Sequence, residues 1–366
     1  MNIVVSAAAA RESGALMIYK QFLHYLQTLV KEDHYYIFVN PEMPMPEISG
    51  VTYFPVTLWK NIWNRIRFDA IGCRKFLEDK GIQADKVVSL QNTGVRSLRG
   101  LPQLIYYHQP APFYPIHWNP LKGEERKMFL YKHIYPFFVR ESLTKQTHVV
   151  VQIPFIRDGF LRRFHFDPER VHVLFPDVKV IDRTQVSAYS YDSELSHFIY
   201  PATGWVYKNH RLLIDALQII RRQKPEVLST LRVHLSLSEQ DAPGLAATIR
   251  EAGLAGIVLL EGGVPYDVLL EKYAACKALL FPSRMETLGL PLLEAASLGL
   301  PVLAPELAYA HNVLDGYAGV QFLPLEDPAL WAESIASLAA RPLQRFPYDK
   351  VRESSWPEFF RIVAEM

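Results

Sequence analysis

The chain has 366 residues, 49% of them hydrophobic, and a formal net charge of +1. That is enough for two domains with a core each, and a near-neutral chain without a recognised nucleic-acid module is not expected to bind nucleic acid. Its two cysteines, Cys73 and Cys276, lie too far apart for a disulfide framework or a metal-ligand spacing, which suits a reducing compartment and predicts a cytoplasmic protein. No run approaches the roughly 18 apolar residues of a spanning helix, and the alanine-rich N-terminus lacks the basic leader of a signal peptide.

In chain order, short β-like runs alternate with helix-like segments, the pattern of parallel sheets covered by helices on both faces. The run 3–6 leads through residues 7–14 into a helix with Leu16, Tyr19, Leu23, Leu26 and Val30 on one face. Gly14 at its start permits close approach of a phosphate or sugar, although many strand-to-helix turns carry a glycine for structural reasons alone. Further strands are expected at 35–39, 51–54, 86–90, 104–107, 148–152 and 171–174. His108 stands just past the fourth of these, before a proline-rich loop, where doubly wound proteins hold active-site groups. A lone histidine is more often structural, and His117 is the weaker candidate.

Residues 113–145 interleave aromatics (Tyr114, Trp118, Phe129, Tyr131, Tyr135, Phe137, Phe138) with Lys122, Arg126, Lys127, Lys132, Arg140 and Lys145. Such a mixture fits an anionic membrane surface or, as readily, a core-facing helix with a solvated basic side. Trp59, Trp63, Arg65 and Arg67 form a smaller group of the same kind. Residues 1–180 carry +7 and residues 181–366 carry −6, so an anionic partner would meet the first half.

Residues 176–193 lack an apolar period and are read as the linker between a first domain, 1–178, and a second, 193–345. In the second, strands are expected at 232–235, 257–260, 278–281, 301–303 and 320–322, while 197–200 is too short to judge alone. Lys208 precedes a helix face of Leu212, Leu213, Ala216, Leu217 and Ile220, where an amine can act on a diphosphate as a point charge. The glycines of Glu261-Gly-Gly-Val-Pro265 let backbone approach a flat ligand, with a structural turn nearly as good a reading. The last stretch, within 346–366, reads as an amphipathic helix interrupted near Pro357.

The most informative segment is FPSRMETLGLPLLEAASLGLPV, residues 281–302. Pro291 suits the first position of a helix whose free N–H groups, at Gly289 and Leu290, attract phosphate oxygens. Glu286 before that start and Glu294 in or near its first turn could accept hydrogen bonds from sugar hydroxyls. Read without further context, Glu294 could equally be a helix stabiliser and Glu286 a solvated loop charge.

This segment resembles the donor-site signature of retaining glycosyltransferases of family 4, E-x7-E with GLP between the acids. The resemblance implies an α/β GT-B fold, two Rossmann-like doubly wound domains facing a central cleft, with a C-terminal helix crossing back to the first domain. It also implies sugar transfer from a nucleotide-sugar donor to a glycan or lipid-linked acceptor, with no cofactor and no metal. Carried onto this sequence, His108 faces the donor sugar, Glu286 holds its hydroxyls and Glu294 the ribose. Lys208, Gly289, Leu290 and Gly14 meet the diphosphate, and Gly263 and Val264 the base. Leu288 stands where Phe is common. The arginine of the family's G-R-x4-K element is missing, with Thr203 five residues before Lys208, or Trp205 if the loop is shortened; Arg284 is a weak substitute. Other readings are a glycoside phosphorylase of the same fold and a sugar- or nucleotide-binding module without turnover. A dehydrogenase is disfavoured by the lack of G-x-G-x-x-G.

Overall fold

The computed structural model describes residues 1–8, 13–28, 32–58, 62–178, 181, 183–348 and 353–366. Trp59 and Val30 therefore lie outside the described residues. The chain divides into two compact units, Met1–Asp177 with Arg352–Met366, and Val178–Val351.

The first unit is built on seven parallel strands: β1 (Asn2–Ala7), β2 (His34–Val39), β3 (Val51–Pro55), β4 (Lys86–Ser89), β5 (Gln103–Tyr106), β6 (Thr147–Val151) and β7 (Val171–Val173). Their order in the sheet is β3-β2-β1-β4-β5-β6-β7. Successive side chains of a strand point to opposite faces, and the sequence supplies apolar residues for both. Ile3, Val5, Ile37 and Val88 pack with Phe22 of the Ser13–Thr28 helix and with Trp356, Phe359 and Phe360 of the Trp356–Glu365 helix. Val4, Phe38 and Val87 pack on the other side with Cys73, Leu77 and Leu98. Such two-sided burial explains why the strands read as continuous apolar runs.

The C-terminal helix starts at Trp356 with Pro357 in its first turn, so the proline opens this helix rather than interrupting it, its missing N–H being one that has no intrahelical partner there. Lys86, buried on β4, donates from Nζ to the carbonyls of Val363 at 2.9 Å and Ala364 at 2.7 Å, closing the helix's last turn. Replacing Lys86 by Met leaves the buried Val363 carbonyl unpartnered and the Ala364 carbonyl to solvent, a loss of about 1.5–3 kcal/mol. Hydrogen exchange in residues 356–365 should accelerate ahead of the central strands; exchange unchanged there would show that the lysine does not hold the helix.

The second unit carries six parallel strands: β8 (Ser196–Tyr200), β9 (Leu231–Leu235), β10 (Val258–Leu260), β11 (Ala278–Leu280), β12 (Val302–Pro305) and β13 (Val320–Leu323). Their order is β10-β9-β8-β11-β12-β13. Every strand expected from the sequence coincides with one of these thirteen to within two residues, and the short run 197–200 is the fully buried centre of the sheet. In each sheet the order reverses beside the first strand, between β1 and β4 and between β8 and β11. In open parallel sheets that reversal leaves a crevice beyond the carboxyl ends of the two strands, where ligands bind. No helix among the described residues is long and apolar enough to cross a membrane.

Candidate active site

The crevice of the second unit is built from the segments that follow β8 and β11. After β8 the chain makes a short 3-10 turn, Val206–Lys208, passes through Asn209 in a left-handed conformation (φ 58°) and enters the His210–Gln223 helix. Tyr200 anchors this turn by donating from its hydroxyl to the Lys208 carbonyl at 2.8 Å. After β11, Ser283 is buried, and its carbonyl accepts the Tyr309 hydroxyl at 2.7 Å. The two segments are joined by the Arg284 N–H donating to the Tyr207 carbonyl at 2.8 Å.

This arrangement brings Lys208 and Glu286 together. Lys208 Nζ lies 2.5 Å from Glu286 Oε1, each side chain only 13% exposed. The Ser283 hydroxyl donates to the same oxygen at 2.8 Å, and the ammonium also faces the rings of Tyr207 and Phe281 at 5.3 and 5.8 Å. Beside them His210 is held down at about 4 by burial, with the Lys208 charge adding to the effect, so it is a neutral imidazole at physiological pH. Arg284 points its exposed side chain outward, and Thr203 is exposed.

Gly289 caps the next helix, Leu290–Ser297, with φ 72°. A side chain there would be strained, and its Cβ would stand 3.2 Å from Leu292 Cδ1. The helix begins one residue earlier than the proline suggests: Leu290 is its first residue and Pro291 its second. Among the described residues no group accepts from the N–H of Gly289 or Leu290, which leaves two donors and the positive end of the helix for an anion.

Glu294 is the fifth residue of this helix, not part of its first turn. The extra turn carries its carboxyl inward, to 9% exposure, where it accepts the Tyr273 hydroxyl at 3.3 Å. Burial pushes the carboxyl above its usual value, and the hydroxyls of Tyr266 and Tyr273, which favour the ionised form, draw it part of the way back. Both tyrosines sit on the Tyr266–Ala275 helix, two turns apart and so on one face. That helix follows the loop with Gly263 and Val264, where Gly262 adopts φ 76° and Gly263 is open. A carboxylate already gripped by two hydroxyls is a site chemically suited to a vicinal diol.

Gly14 and His108 belong to the first unit. Gly14 is the second residue of the Ser13–Thr28 helix, with open space where a Cβ would be. His108 follows β5, and burial holds its imidazole down at about 4, the Tyr106 carbonyl opposing and the Arg65 charge assisting. Ser283, Tyr266, Tyr273 and Asn92, which touches His108, escape a reading of the sequence alone.

Residues 197–341 match the family model described as Glycosyl transferases group 1. The matched span runs from β8 to β13 and contains Lys208, Glu286, Gly289 and Glu294. Over 260 residues the chain is 20% identical to the O-antigen chain mannosyltransferase RfbU of Salmonella typhimurium, covering 69% of this chain and 67% of that protein. It is 25% identical over 197 residues to a D-inositol 3-phosphate glycosyltransferase of Paenarthrobacter aurescens, covering 52% and 48%; the chain spans about half the length of that relative. The structure of Anabaena HepE, solved with UDP and glucose, superposes with a TM-score of 0.64 at 14% identity and full coverage of both chains. The fold is GT-B: two parallel, Rossmann-like sheets, the second of which lies in the matched span.

Proposed function

We propose that the chain transfers a hexose-type sugar from a nucleotide-diphosphate sugar to a hydroxyl acceptor, with retention at the anomeric carbon and without a divalent metal. The observation that carries this reading is the Lys208–Glu286 pair set beside the free helix start at Gly289 and Leu290. The donor diphosphate takes Lys208 as its partner in place of Glu286 and is met by the two N–H groups. Glu286, released from the ammonium, accepts the sugar hydroxyls. Glu294 holds the ribose, Gly263 and Val264 line the base, and Gly14 and His108 serve the diphosphate and the sugar from the first unit. Catalysis is then orientation plus stabilisation of charge on the leaving diphosphate. His210 and Asn209, both beside Lys208 and buried, offer no charge in place of the missing arginine, so the helix start takes the larger share.

The test is thermal shift with a panel of nucleotide-sugars, since a ligand that binds only the folded form raises its apparent stability. At least one should stabilise the wild type and not Glu294→Ala; equal stabilisation of both proteins removes Glu294 from the ribose site.

The role of the Salmonella relative in O-antigen chain synthesis supports a cell-envelope glycan as product and a lipid-linked or glycan acceptor. Within residues 113–145 the side chains divide between interior and surface. Tyr114 and Trp118 are buried, and Lys132 is spent on the carbonyls of Tyr114 and Ile116 at 2.9 and 2.5 Å. Leu121, Leu130, Ile134 and Phe137 are exposed instead, among the exposed Arg126, Lys127 and Arg140. Exposed apolar side chains in one stretch with exposed cations, which outnumber the exposed acids Glu124 and Glu141 there, suit an anionic headgroup layer. Co-sedimentation with anionic liposomes should be strong at low salt and fade as the Debye length shortens from about 30 Å at 0.01 M to about 10 Å at 0.1 M. Equal recovery with neutral vesicles, or none with either, would leave this face a solvated one.

A further inference from the structure

Asn92 lies in the loop after β4 with φ 69°, a left-handed backbone that asparagine tolerates better than other residues with a Cβ but adopts less readily than glycine. The loop around it is held on every side. Ser89 Oγ donates to the Thr93 carbonyl at 2.6 Å. Gln103 grips Val95 twice, accepting its N–H at 2.9 Å and donating to its carbonyl at 3.1 Å. Gly94 has no room for a side chain, its Cβ position being 2.7 Å from Gln103 Oε1. Gln91 donates to Ser6 Oγ, and Arg65 reaches the Gln91 carbonyl at 3.3 Å. A strained residue persists where its surroundings over-determine it, and such strain is found where function needs the geometry.

What the strain delivers is a two-point contact with His108. Asn92 Oδ1 accepts the His108 backbone N–H at 2.6 Å, and Asn92 Nδ2 stands 3.4 Å from His108 Nε2. Because a backbone N–H can only donate, the amide oxygen must face it, and the amide nitrogen is thereby turned to the ring. An amide nitrogen also only donates. His108 Nε2 must therefore offer a lone pair, and the ring proton sits on Nδ1, a buried atom for which no hydrogen-bond partner is found among the described residues.

We propose that Asn92 is a positioning residue for His108, fixing both its backbone at the end of β5 and its ring as the Nδ1–H tautomer. This rests on the reading of His108 as the residue that faces the donor sugar. The groups that act on the ring are Asn92, the Tyr106 carbonyl and the Arg65 guanidinium. Burial keeps the imidazole neutral, at about 4, so Asn92 selects between two neutral tautomers and does not compete with a charged form.

Two variants test it, each with an NMR titration of His108 and a turnover assay on the full chain. Asn92→Gly suits the left-handed backbone, so the fold is kept or gains stability. Its turnover should nevertheless fall about tenfold or more while affinity for a nucleoside diphosphate, bound by the second unit, is unchanged. Asn92→Asp keeps the acceptor for the His108 N–H but sets a carboxylate against Nε2. The His108 midpoint should then rise from about 4 by about one unit or more. Full turnover in Asn92→Gly, or an unmoved midpoint in Asn92→Asp, overturns the proposal. If the wild type transfers no sugar from any donor, the reading of the reaction falls, and the titration alone decides Asn92: a raised midpoint supports it and an unmoved one rejects it.

Discussion

Lys208→Ala should weaken binding of a nucleoside diphosphate by about 10- to 100-fold, the worth of a charge-assisted hydrogen bond of about 1.5–3 kcal/mol. The same substitution should leave binding of the bare nucleoside nearly unchanged, because the amine acts on phosphate alone. Lys208 is only 13% exposed and paired with the equally buried Glu286, so its removal also takes the ammonium from a carboxylate that keeps the Ser283 hydroxyl. The loss of diphosphate affinity therefore has two sources, a missing cation and an anion beside the phosphates that the cation no longer offsets. Calorimetry with nucleoside and nucleoside diphosphate separates the ligands; equal loss for both would take Lys208 out of the phosphate site.

Glu286→Gln should do the opposite to the free diphosphate. With no carboxylate competing for Lys208, a nucleoside diphosphate should bind more tightly than to the wild type, by up to about tenfold. Turnover should fall by about 100-fold or more, since an amide is a weaker acceptor for the sugar hydroxyls whose orientation the reaction needs. Tighter product binding together with slower chemistry is a signature that simple misfolding does not produce. A loss of affinity for the free diphosphate would mean that Glu286 helps to bind phosphate rather than being displaced by it.

Much of the fold was legible because parallel strands buried on both faces must be written as short apolar runs, and proline or glycine closes them: residues 278–280 form β11, and Pro282 ends the run. Lys208, Glu286 and Glu294 could be singled out one by one as candidates. Their pairing could not. Lys208 and Glu286 are 78 residues apart, and they meet only because β8 and β11 are neighbours in the sheet, a fact of topology that no local spacing carries. Tyr266 and Tyr273 read as ordinary positions of an amphipathic helix, and their two-turn separation gains meaning only once Glu294 is seen in the second turn of its own helix. Asn92 is a further case of this kind: an asparagine in a loop is unremarkable until Gln103 and Ser89, from two neighbouring strands, are seen to force it into the left-handed region. At residues 113–145 the two readings stayed open in the sequence, and the structure buries Trp118 and ties Lys132 to two carbonyls.

The central claim is that this chain breaks the bond between sugar and diphosphate in a nucleotide-sugar and passes the sugar to a hydroxyl. The most direct measurement follows a panel of nucleotide-sugars by NMR with the full chain, a sugar acceptor and EDTA present. The account predicts release of nucleoside diphosphate from one donor, in step with formation of a glycoside that has the donor's anomeric configuration. Binding without release, or consumption of inorganic phosphate to give a sugar 1-phosphate, would contradict it.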